Sequence, residues 1–328
     1  MVELPDTRGL ICGFTLRANA PSEALDWELT SDPNRTFEGA VWLHFSLADV
    51  RAKKWISACE RIPARAREIL LDTDAHIRME AVERGFAGVL GDLHYEFDGD
   101  PDRLGVMHLY VDESLVVTAR LHALKVADQL RLQLRGGMVV PSTLRLLIQF
   151  LEDFSDTIAA VVAGQSDIVD EAEDRILKDR FLRDAGDLGS VRRLLARLRR
   201  HISAQRNALA HQAYRSPAWW SDKDAADLRS SIERLEGLSL DLESIQERAR
   251  LLQEEIGGRT VEATNLNLYI VSLFTAIFLP LNLITGIFGM NVAGLPWLEN
   301  PGGFLWVTCV MVLTLITSLG LLYWRRFF

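Results

Sequence analysis

The sequence predicts an α+β membrane protein with three parts: an N-terminal α/β domain, a long-helix stalk or funnel, and two C-terminal transmembrane helices. Three observations predict it. From Ala263 onward the only Asp, Glu, Lys or Arg residues are Glu299, Arg325 and Arg326; this tail carries +1 and, with a total of −9, residues 1–262 carry −10. Within the tail lie two uncharged apolar runs. Before it, mixed strand and helix patterning gives way after Pro141 to helical periodicity alone. The expected parts are therefore 1–140, 141–262 and 263–328. A charged soluble portion joined to an uncharged tail excludes a simple soluble enzyme, a disordered chain and a basic nucleic-acid binder.

In the first part, Val41–Phe45, Val106–Val111 and Ser114–Ala119 alternate as strands do, the last after an Asp112-Glu113 turn. Leu47–Cys59 and Ala64–Leu71 have helical spacing, so α/β layers are expected. Met1–Asp6 lacks a basic region ahead of an apolar one, and no cleaved signal peptide is expected. Cys12, Cys59 and Cys309 stand far apart, which supports neither a disulfide framework nor a cysteine zinc site.

The second part reads as amphipathic helices over Thr143–Leu177 and Gly189–Tyr214, then a break at Ser216–Ser221 with Ser221 as the next N-cap. The following helix presents Leu228, Ile232, Leu235, Leu242, Ile245, Ala249, Leu252 and Ile256 on one coiled-coil-like face. Only Gly257-Gly258, a candidate bend, interrupts the pattern before the membrane. One helix is expected from about Asp222 to Phe288, roughly 100 Å long.

Leu268–Phe288 and Phe304–Trp324 are each long enough to cross a hydrocarbon core of about 30 Å as a helix. Tyr323-Trp324 supplies interfacial aromatics, followed at once by Arg325-Arg326. Arg259 precedes the first span, and the loop Gly289–Gly303 has no positive charge. The positive-inside rule then places both termini in the cytoplasm. In the first span Asn265, Leu268, Ser272, Thr275, Leu279, Asn282 and Gly286 recur at alternating three- and four-residue steps, which is one helical stripe. Asparagine facing lipid is costly, so the stripe faces protein or water. Helix–helix packing and a pore wall both fit. A lumen needs several copies of the chain around an axis, because two helices cannot enclose one. Pro280 removes one backbone hydrogen bond within this span.

The first span ends in Gly289-Met290-Asn291, followed by Val292-Ala293-Gly294-Leu295-Pro296. Glycine permits a tight turn, and a ring of neutral amide oxygens can hold a hydrated cation without trapping it. With this tripeptide at the exit of the first of two C-terminal spans, the chain resembles the CorA superfamily of divalent-cation transporters, and more closely its ZntB zinc-transporter branch. Val41-Trp42-Leu43-His44, Val106–Val111, Pro217–Ser221 and Phe278-Leu279-Pro280 through Pro296 carry the likeness over nearly the whole chain.

The resemblance implies a homopentamer in a bacterial-type inner membrane. It assigns Gly289, Met290 and Asn291 to the pore entrance, and Asn265, Leu268, Thr275, Leu279 and Asn282 to its wall. Magnesium-transporting relatives typically carry an acid after the loop proline, whereas Trp297 follows Pro296 here and the nearest loop acid is Glu299. That departure favours Zn2+ over Mg2+, Co2+ or Ni2+. The ligand chemistry leaves the choice open, since the stripe has neither His nor Cys and suits a hydrated ion of either kind. Proton-coupled uptake is implied by the branch, yet the first span holds no carboxylate or histidine.

Two acidic groups are further metal candidates. Asp72, Asp74 and His76, near Glu80 and Glu83, share a loop. Asp167, Asp170 and Asp174, with Glu171 and Glu173, share a helix. Solvated faces are the blander reading of both. His201 and His211 are too far apart for a two-histidine site on one helix face. No phosphate loop, nucleophile elbow, metalloprotease or dinucleotide motif occurs, so no enzyme activity, cofactor or direct ATP drive is expected. The expected partners are the membrane, divalent ions and further copies of the chain, with no nucleic acid. A membrane-tethered cytosolic sensor or scaffold is the alternative of a different class.

Overall fold

A computed structural model of the chain describes residues 9–97, 100, 103–178, 184–213, 217–290, 292, 295–296 and 301–324. It divides into two compact units, Met1–Gln253 and Glu254–Phe328.

The first unit is built on seven strands: β1 (Leu10–Leu16), β2 (Glu23–Ala24), β3 (Ala40–Ser46), β4 (Arg78–Val82), β5 (Gly85–Leu93), β6 (Leu104–Asp112) and β7 (Leu115–Arg120). Their order is β2-β1-β3-β7-β6-β5-β4, with β3 and β7 parallel and every other pair antiparallel. After the single turn α1 (Trp27–Thr30) come α2 (Val50–Ala58) and α3 (Ala64–Leu71), and α4 (Lys125–Arg135) follows the last strand. Successive side chains of a strand point to opposite faces. Val41, Leu43 and Phe45 accordingly share a core with Trp55 and Ile56 of α2 and Ile69 and Leu70 of α3. Trp42 points the other way, toward Leu109, Leu130 of α4, and Leu147 and Phe150 of α5 (Thr143–Leu177). Helices thus cover both faces of the sheet.

The strands and helices expected over 40–120 are present. The strands β1, β2, β4 and β5 and the helices α1 and α4 lie outside that expectation, and β5 shows why. It contains three glycines, which weaken strand propensity, and all nine of its residues are buried, so no polar alternation marks it.

After α5 come α6 (Asp184–Ala213), α7 (Asp222–Phe288) and α8 (Gly303–Trp324). Ser221 caps α7 as expected, its Oγ accepting the Asp224 amide hydrogen at 3.0 Å. The buried seam of α7 differs from the expected face in taking Ser231 in place of Ile232 and in adding Leu238. It runs through Leu228, Ser231, Leu235, Leu238, Leu242, Ile245, Ala249 and Leu252, while Ile232 is only half-buried. This is an unbroken three–four repeat. Ser231 is tolerated in it because its hydroxyl donates to the Asp227 carbonyl at 3.1 Å.

The second unit holds the remainder of α7 together with α8. Helix α7 continues through Gly257, Gly258 and Pro280 to Phe288 without a break. Both helices are long and apolar enough to cross a membrane.

Candidate functional site

The apolar end of α7 has two unlike sides. Asn265, Leu268, Ser272, Thr275, Leu279, Asn282 and Gly286 are all exposed. Tyr269, Leu273, Ile277, Pro280, Leu281, Ile284 and Phe288 are partly shielded. At about 100° per residue the two sets are centred roughly 160° apart. Helix α8 is likewise shielded along one side, at Gly303, Val307, Met311, Thr314, Leu315, Ser318 and Leu322. Two helices of a hairpin leave this pattern when each covers one side of the other, and the polar stripe is on the side left open.

The polar groups of the stripe differ in how they are satisfied. Thr275 Oγ1 donates to the Val271 carbonyl at 2.8 Å, so its hydrogen is used within the helix while its lone pairs stay free. The Asn265 and Asn282 side-chain amides form no hydrogen bond among the described residues. An amide without a protein partner in a membrane span requires water, an ion or another chain.

At the exit of the span the Gly289 amide donates to the Thr285 carbonyl at 2.8 Å and that of Met290 to the Ile287 carbonyl at 3.3 Å. A β-carbon on Gly289 would lie 2.9 Å from the Thr285 oxygen, so this terminal turn requires glycine. Met290 is exposed. Asn291 lies outside the described residues, as do Trp297, Glu299, Arg325 and Arg326.

Of the acidic candidates, Asp72, Asp74, Asp170 and Asp174 face cations of the chain itself. Arg78 reaches Asp72 at 2.8 Å and Asp74 at 2.9 Å, and His76 bonds to Asp74. The Asp74 amide bonded to Asp72, and the His76 ring bonded to Asp74, hold both carboxyls below their ordinary range. On α5, Asp170 and Glu173 hold Arg248 at 2.6 and 2.7 Å, and Asp174 is 3.8 Å from Lys178. Asp167 shares that helix, one turn before Asp170. Among the described residues no three His, Cys, Asp or Glu side chains are grouped to hold a metal ion. Sequence reasoning also passed over the buried ionisable groups His44, Asp92 and His108. No metal-binding or catalytic motif surrounds them, and only the folded sheet places them in the interior.

The sequence profile of the family described as CorA-like Mg2+ transporter protein matches residues 37–326. The chain belongs to the CorA-like family. It is therefore a divalent-cation transporter of the CorA and ZntB type and not an enzyme. Among curated proteins this CorA-like chain is similar to a divalent cation transporter CmaX of Pseudomonas aeruginosa, 26% identical over 313 residues that cover 94% of each chain. It is also similar to a zinc transport protein ZntB of Yersinia enterocolitica, 25% identical over 298 residues, 91% of this chain and 90% of that protein. The structure of full-length CmaX superposes with a TM-score of 0.83 at 25% identity, covering 99% of both chains. The CorA magnesium transporter of Methanocaldococcus jannaschii shares the fold, with a TM-score of 0.76 at 19% identity and coverage of 96% and 97%.

Proposed function

We propose that several copies of this CorA-like chain, five by the family resemblance, surround a central pore whose wall is the Asn265–Gly286 stripe of α7, and that the ion carried is Zn2+. The observation that carries the pore is the open polar side of α7 opposite its shielded side. Exposed amides on a membrane span need a wet or protein-lined surface, and a ring of such helices supplies it. Gly289, Met290 and Asn291 form the outer entrance, Asn282 offers the ion amide oxygens between that entrance and Leu279, and Leu279 narrows the lumen below it.

An amide and hydroxyl wall handles the ion with its water shell in place, which removes most of the dehydration cost. The same wall accepts Mg2+, so selectivity lies with the entrance and loop. The ZntB relatives and the missing acid after Pro296 support zinc. A CorA-like Mg2+, Co2+ or Ni2+ channel is the second reading, supported by the description of the matching family. Without a phosphate-binding loop the driving force is the ion gradient, the membrane potential at about 2.3 kcal/mol per charge per 100 mV, or a proton gradient. The span lies in a bacterial inner membrane with both termini cytoplasmic, supported by the arginines that flank the spans and the uncharged-to-acidic loop between them.

Purified full-length protein in liposomes tests the reading, with Zn2+, Mg2+, Co2+ and Ni2+ uptake compared side by side. Zn2+ uptake that Asn291→Ala abolishes or deranges is expected. Uptake of Mg2+ but not Zn2+ overturns the zinc assignment. Absence of flux for all four ions leaves the tethered sensor or scaffold. An imposed pH gradient that leaves uptake unchanged excludes proton coupling.

A further inference from the structure

Beside the sheet of the first unit lies a pocket of about 350 Å³ whose wall carries His94, His108, His122 and His201. Four of the chain's seven histidines thus converge from β6, α6 and two loops, although they are scattered along the sequence. His94 follows β5, and His122 lies between β7 and α4.

The backbone fixes the first pair. His94 and Leu124 form an isolated β-bridge, and the Tyr95 amide donates to the Ala123 carbonyl at 2.9 Å. The His94 amide donates to the Arg103 carbonyl at 3.0 Å, and Arg120 Nη1 donates to the His122 carbonyl at 3.2 Å. The His94 ring is seated against Gly105, where a β-carbon would stand 2.8 Å from its Cδ2 and 3.3 Å from its Nε2.

The ring centres of His94 and His122 are 5.3 Å apart, with their planes inclined at 47°. An ion about 2.0–2.1 Å from one nitrogen of each ring lies roughly 3.2 Å from each ring centre, and a tetrahedral angle at the ion then separates the centres by about 5.2 Å. The observed spacing matches that value.

We propose that His94 and His122 together bind one transition-metal cation, with water in the pocket completing its coordination. Imidazole nitrogen selects Zn2+, Co2+, Ni2+ or Cu2+ over Mg2+, which prefers oxygen. No third His, Cys, Asp or Glu joins the pair among the described residues, so the remaining positions belong to solvent. Lys53 also lines the pocket and opposes the cation, while Asp72 lines it with the opposite charge. Two ligands make a site that exchanges its ion, suited to reading free metal and not to holding the fold together. The site lies wholly in the first unit and does not rest on the assignment of the pore.

Tag-free full-length protein in detergent, titrated with Co2+, tests the proposal through the intense visible absorption of tetrahedral cobalt. The wild type is expected to develop the band, Zn2+ to abolish it, and excess Mg2+ to leave it intact. His94→Gln and His122→Gln should each lose the band, and His201→Gln should keep it, with all variants sharing the wild-type melting and size-exclusion profiles. His94→Asn and His122→Asn serve as second variants if either glutamine impairs folding. A wild type without the band, a band that survives both substitutions, or equal loss in His201→Gln overturns the two-histidine site.

Discussion

Asp92 caps α4 from the neighbouring strand: its Oδ2 accepts the Ala127 amide hydrogen at 3.0 Å while its Oδ1 takes that of Val126 at 3.0 Å. Complete burial pushes this carboxyl up from 3.8 to about 7, although the Val126, Ala127 and Leu93 amides favour its charged form. The folded chain therefore holds a proton that the unfolded chain releases. The stabilisation is complete below the unfolded value and is lost as pH rises toward about 7. Melting curves at pH 5, 6, 7 and 8 should show wild type losing stability relative to Asp92→Asn as pH rises, and parallel curves would refute this. Asp92→Ala strands the first amides of α4 and should cost about 1–3 kcal/mol at any of these pH values.

His44 has the opposite sign. It is buried, its Nδ1 is 2.7 Å from Thr118 Oγ1, and its Nε2 has no partner among the described residues. Burial first, then Arg120 and Arg131, hold its pKa well below 6.5. Its contribution is present above the unfolded value and falls away as pH drops below it. His44→Gln should lower stability at neutral pH yet flatten the acid limb below pH 6.5. Denaturant titrations across the range measure the difference in slope.

The two sides of α7 are separable by labelling. In a background with Cys12, Cys59 and Cys309 replaced, Thr275→Cys and Asn282→Cys should react with a charged, membrane-impermeant thiol reagent. Leu273→Cys and Ile277→Cys, on the shielded side, should not. Equal protection of all four positions in the membrane-embedded protein overturns the proposed aqueous wall.

Gly257 and Gly258 continue α7, and a β-carbon at either meets nothing within 4 Å. The double alanine variant should gain about 1–2 kcal/mol from helix propensity alone. A higher melting temperature with reduced liposome flux would mark the pair as a flexible joint, whereas a lower melting temperature would mean that packing requires the glycines.

The acidic candidates show where local pattern stops being informative. Asp170 and Glu173 read as a crowded negative face, but Arg248, far along the chain on α7, lies across them. The seam of α7 shows the same limit on a smaller scale. Ile232 is the more apolar residue, yet Ser231 occupies the buried position, because register is set by the repeat that includes Leu238 and not by the hydrophobicity of one side chain.

By itself the sequence determined the elements whose signal is local. These include the charge-free spans, the three–four polar stripe, the glycine exit turn, the Ser221 cap and the long helices, all of which follow from residue type, periodicity and hydrophobic length within a short window. Only the tertiary structure decided the strand order, the pairing of Arg78 with Asp72 and Asp74, the burial of Asp92 and His44, and the approach of His94 to His122. Those facts depend on which distant segments the sheet and helices bring within hydrogen-bonding reach. No window along the chain carries that information, because a single side chain has the same composition whether the fold leaves it in water or encloses it.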